Sequence, residues 1–131
     1  MYHFSVKLND NFEAAVKRVT EALQQEKFGI LNEINVDTVL KNKLNVDMPH
    51  YRVLNACSPP FAHRLVSQAP DIGALLPCNV LVREESDGTT TVVFMDPVAV
   101  FGLAQDPEIT QIAEGAKIPL LRVRDALASQ S

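Results

Sequence analysis

Residues 78–96, "CNVLVREESDGTTTVVFMD", decide the fold class. Cys78, Val80 and Val82 recur at every second position in a run to about Glu85, the period of a strand. "SDGT" then supplies hairpin turn chemistry, and 89–96, "TTTVVFMD", returns as the partner strand until Asp96-Pro97 ends it. A tight hairpin can only be antiparallel, so the sheet is expected to be built mainly that way.

Upstream of the hairpin, "YRVLNAC" at 51–57 reads as a strand and Ser58-Pro59 as the N-cap and first turn of a helix over 59–69. Its expected buried stripe is Phe61, Ala62, Leu65, Val66 and Ala69, and Pro70 stops it. "PDIGALLP" is turn-rich. Toward the N-terminus, "YHFSVKL" at 2–8 alternates as a strand with His3 away from the core. Asp10 with Glu13 forms a capping-box pattern before a helix over about 11–27 carrying Phe12, Ala15, Val16, Val19 and Leu23. "ILNEINV" at 30–36 reads as a strand with Ile30, Ile34 and Val36 on one face and Leu31, Glu33 and Asn35 on the other. Asp37 is the expected cap of a short helix bearing Val39, Leu40 and Leu44.

Downstream, "VAVFGL" reads as a buried loop or short turn, and Asp106-Pro107 opens a last helix whose apolar phase runs from Ile109 to Leu127 across Pro119. A kink or local opening is expected between Gly115 and Pro119. The order of elements lacks a strict βαβ rhythm and a glycine-rich phosphate loop. It predicts an α+β domain over 1–131: a curved, mainly antiparallel sheet covered on one face by two long helices.

Composition narrows the function classes. A chain of 131 residues is expected to bury roughly two thirds of its unfolded surface in one core. The net charge is −4 and the basic residues are scattered, which argues against nucleic acid. No window approaches the about twenty apolar residues of a membrane span, and the N-terminus does not read as a signal, so a cytoplasmic protein with reduced thiols is expected.

Chemistry concentrates in 55–80, "NACSPPFAHRLVSQAPDIGALLPCNV", which holds both cysteines, each within two residues of a proline. Antiparallel pairing of the flanking strands brings Cys57 and Cys78 to one sheet edge, and the helix dipole beyond Ser58 would favour a thiolate at Cys57. The alternative is two cysteines acting as small buried hydrophobes. Two thiols alone do not make a metal site, and neither His63 nor His50 stands at ligand spacing, so no metal and no cofactor is expected. Glu33, inside an apolar strand, faces either water or a pocket. No hydrolase signature is present and whether the protein is an enzyme stays open.

The segments "FGILNEINV", "VLNACSPP", "GALLPCNVLV" and "MDP", in this order, resemble the family called domain of unknown function 302 over roughly residues 5 to 127. The resemblance implies a TATA-binding-protein-like α+β fold and a homodimer, without DNA binding. It marks Glu33, Cys57, Pro59, Pro60, Pro77, Cys78, Asn79, Asp96 and Pro97 as motif positions, and brings no agreed activity. The chain departs from the family pattern at Ser58 (asparagine), Asn35 (aspartate) and Pro119. Asn35 removes a charge beside Glu33.

The leading expectation is a small-ligand-binding domain with a pocket between the sheet and helix 59–69. Its candidate ligand-binding residues are Glu33, Cys57, Cys78, Asn79 and Asp96. Thiol redox or soft-metal chemistry by the two cysteines, and a purely structural homodimer or partner-binding module, are the alternatives.

Overall fold

A computed structural model describes residues 1–129 of the chain. Strands β1 (His3–Leu8), β2 (Gly29–Asn35), β3 (Tyr51–Cys57), β4 (Cys78–Glu84) and β5 (Thr90–Met95) form one antiparallel sheet in the order β1-β5-β4-β3-β2. The hairpin pairs Val82 with Val92 and Glu84 with Thr90. Its turn places Gly88 at φ +86°, where a side chain would be strained.

Two long helices, α1 (Phe12–Gln25) and α5 (Pro107–Ala128), cover one face. Ala15, Val19 and Leu23 from α1 and Leu120, Val123 and Leu127 from α5 pack on Leu54, Val80, Val82, Val92 and Phe94. Even-numbered positions of β3, β4 and β5 therefore point into this core, as strand alternation requires. On the other face Val53, Leu81 and Val93 are only half-buried.

Several local expectations change. Asn11, not Asp10, caps α1 by accepting from the Ala14 N–H, and Asp10 pairs with Arg18 at 2.7 Å. The short helix α2 (Val36–Leu44) starts two residues early, so Asp37 lies in its first turn and accepts from the Tyr51 N–H instead of capping. "VAVFGL" folds as a helix, α4 (Pro97–Phe101), followed by a 3-10 turn. Helix α5 is one helix through Pro119, as its apolar phase predicts. A proline crowds the carbonyl four residues earlier, which here belongs to Gly115, a residue without a side chain of its own to accommodate.

Strand β2 carries the most consequential change. Ile30 pairs with Ala56 while Asn32 pairs with Asn55, so Leu31 is an extra residue in a bulge. One inserted residue reverses the parity of everything after it. Ile34 falls opposite Val53, on the face away from α1, and Glu33 falls opposite Leu54. The predicted apolar face of Ile30, Ile34 and Val36 is thus split.

Candidate functional site

Helix α3 (Pro59–Gln68) leaves the end of β3 and returns through a 3-10 turn (Pro70–Leu75) to β4. Its N-terminal cap is Ser58, with the prolines at its first two positions. Only Leu65 of its expected stripe is fully buried, and Val66 faces outward. The helix spans one end of the sheet and rests on α5, where Gly115 admits the Phe61 ring: a Cβ there would sit 3.4 Å from Phe61 Cε1. Between α3, the strand ends and α5 lies a cavity of about 240 Å³.

Its walls are almost wholly apolar. Ala56, Phe61, Ala62 and Leu65 contribute from β3 and α3, while Phe28, Leu31, Phe101 and Ala116 come from distant parts of the chain. Cys57, Ser58, Pro77 and Cys78 complete the strand-end side, and none of the lining residues is charged. Leu31, the bulged residue, is 67% exposed and stands at the rim. The bulge thus aims into the cavity mouth a side chain that regular alternation would have placed elsewhere.

Both thiols border this cavity. Cys78 pairs across the sheet with Ala56, next to Cys57, so antiparallel registry brings both to the same end. Burial, with a smaller push from Cys57, raises the Cys78 thiol to about 12. Burial also pushes the Cys57 thiol up. The thiolate expected at Cys57 from the helix dipole is therefore not the favoured form: loss of hydration outweighs a half-charge whose first two positions are prolines. At pH 8, Cys78 is expected to react with iodoacetamide on the order of a thousandfold more slowly than a free cysteine, because so little thiolate is present. Mass spectrometry of alkylated peptides reads this out, and equal labelling of native and unfolded protein would contradict it.

The remaining candidates lie elsewhere. Asn79 is exposed and accepts from Asn55 Nδ2 at 2.8 Å; neighbouring Cys78 and Val80 point into the core, so Asn79 is on the outer face, away from the cavity. Glu33 is exposed on the edge strand and is not a cavity residue. His63 is exposed on α3, and His50 stacks on Phe12 with ring centroids 4.9 Å apart. His3, expected on the face away from the core, is half-buried with no hydrogen-bond partner for Nδ1. Among the described residues no group of three or more His, Cys, Asp or Glu side chains is placed to hold a metal ion.

Asp96 caps α4: Oδ1 accepts from the Val98 and Ala99 N–H groups, and Oδ2 receives Lys117 Nζ at 2.8 Å. Burial alone would raise its carboxyl, but hydrogen bonds from Lys117, Ala99 and Val98, with the Lys117 charge, outweigh it and hold the group below its ordinary 3.8. The group thus ties α4 to α5. Asp96→Ala is expected to cost about 1–3 kcal/mol in urea unfolding, the range for a lost cap with a charged partner. Because the folded carboxyl is the more acidic, its contribution is fully present above pH 4 and is lost as pH falls through the folded value. The variant should show a flatter acid limb than the parent, and identical limbs would remove Asp96 from the account.

Ser58, Phe28, Leu31, Phe101 and Ala116 escape the sequence reading of the site. Ser58 reads as a cap and Phe101 as part of a buried loop; neither carries a local signal for a shared cavity.

The fold and this cavity define a small α+β domain with an apolar chamber at one end of an antiparallel sheet. Residues 4–127 match the family described as domain of unknown function DUF302, and the chain belongs to it. It is also similar to the protein of the "Crystal structure of uncharacterized conserved protein DUF302 from Bacillus stearothermophilus", at 29% identity and a TM-score of 0.89, over 97% of this chain and 98% of that one. No curated protein matches the chain. No helix among the described residues is long and apolar enough to cross a membrane.

Proposed function

We propose that this protein binds a small apolar ligand in the chamber between α3, the ends of β3 and β4, and α5. The observation that carries the reading is a cavity of about 240 Å³ walled by aromatic and aliphatic side chains and open at Leu31. An engineered apolar cavity of about 150 Å³ suffices to bind benzene, so this one has room for a ring with a substituent. Cys57 and Cys78 serve as neutral, polarizable wall atoms in this reading. Thiol redox chemistry and soft-metal binding are disfavoured by the same burial that raises both thiols, since each needs the thiolate. Two free cysteines accord with a reducing, cytoplasmic setting.

Titration with toluene, followed by amide and methyl NMR shifts, tests the reading. Saturable shifts are expected at Ala56, Ala62, Leu65 and Ala116. Shifts scattered over the surface, or none up to the solubility limit, would reject it.

Assembly into a homodimer is a second reading, favoured by the outer face of the sheet. Register aligns Ile34, Val53, Leu81 and Val93 in one apolar row across four strands. Such a row can pack on its own copy about a two-fold axis. Sedimentation equilibrium decides it, and a monomer at high concentration would dismiss it.

A further inference from the structure

The chamber has one polar feature that its apolar walls do not explain. Ser58 is only 6% exposed and lines the cavity, yet its hydroxyl caps nothing and makes no hydrogen bond within the described residues. A serine at this position ordinarily accepts from the second or third N–H of the helix it starts. Here the first two helical residues are Pro59 and Pro60, which have no N–H to offer. The Ala62 N–H is satisfied by the Ser58 carbonyl at 3.0 Å. Phe61 then carries the one remaining donor of the first turn, and the Ser58 side chain makes no cap bond to it. Ser58 is thus a buried residue whose hydroxyl has no protein partner and borders the cavity, where a ligand group could take up its hydrogen bond.

We propose that the cavity takes a neutral molecule with an apolar body and a single hydrogen-bonding head group, and that the Ser58 hydroxyl binds that head. This rests on the apolar-ligand reading above. A hydroxyl or carbonyl head matches one hydroxyl. An anion does not match: the prolines strip this helix start of two donors, no cationic side chain lines the chamber, and the neighbouring thiols stay protonated.

Three probes of one shape, toluene, p-cresol and p-toluate, separate the possibilities, titrated into the parent protein and Ser58→Ala. Because the Ser58 side chain caps nothing, the variant is expected to fold as the parent does. In the parent, p-cresol should bind about 3- to 10-fold more tightly than toluene, the worth of one hydrogen bond. In Ser58→Ala that preference should vanish while toluene affinity holds. p-Toluate should bind at least about tenfold more weakly than p-cresol. Toluene binding with no preference for p-cresol, or a preference that survives Ser58→Ala, overturns the head-group assignment and leaves the apolar-ligand reading standing. p-Toluate binding as tightly as p-cresol overturns the neutral class. Failure of all three probes brings down the ligand reading itself and this inference with it.

Discussion

Phe94→Ala is expected to remove about 3–5 kcal/mol of folding stability. Phe94 lies on β5, an interior strand, and is completely buried. It pairs with Phe4 on one side and Val80 on the other, and its ring stacks on Phe4 at 5.3 Å between centroids. Helices α1 and α5 close over the same cluster. A hole opened there is hemmed in by backbone ladders on two sides, so collapse around it is limited and the cavity cost adds to the lost transfer energy. Domains of this size are commonly stable by only about 5–15 kcal/mol, so the variant is expected to be marginal at 25 °C. Urea unfolding measures the change. A loss below about 1 kcal/mol would mean that this ring does not anchor the core. Phe94 does not line the chamber, so folded variant at low temperature should keep the parent's toluene affinity.

Ala62→Phe is expected to have the opposite profile: stability held, binding abolished. Ala62 lies on α3 with its side chain partly buried at the chamber wall. A phenyl ring there occupies space that a ligand would otherwise fill. Burying that ring contributes favourably, and the volume already present limits overpacking, which in a filled core costs about 1–3 kcal/mol. Thermal unfolding should therefore stay near the parent's midpoint or move up. Toluene affinity should fall on the order of 100-fold or more, since the apolar burial that drives its binding has no site left. A variant of full stability that still binds toluene like the parent would place the ligand elsewhere. The pair of substitutions separates the two apolar clusters: one around the α1–α5 side of the sheet, the other, with Leu65, Cys78 and Phe101, beside the chamber.

Much of this architecture is legible in local pattern. The β4–β5 hairpin follows from alternation and a glycine turn, and α1 and α5 from helical apolar spacing, because each signal spans only a few residues. That Cys57 and Cys78 share one end of the sheet follows too, since an antiparallel return brings the end of one strand to the start of the next. Pro119 does not end α5, whose apolar phase from Ile109 to Leu127 is buried along one face, with Gly115 one turn before the proline.

What sequence alone determined is the α+β class, the order of its elements and the end of the sheet where both thiols sit. Tertiary structure decided which side chains share a space. Asn79 neighbours Cys78 in the chain but faces away, whereas Phe28, Phe101 and Ala116, far apart in sequence, wall one chamber. The single extra residue at Leu31 turned Glu33 and Ile34 to faces that unbroken alternation would not assign. Ser58, a plain cap by its neighbours, makes no side-chain cap bond before the two prolines and borders the chamber instead. Periodicity reports which residues prefer to be buried. Only packing of elements distant in sequence determines what they are buried against, and where a gap remains.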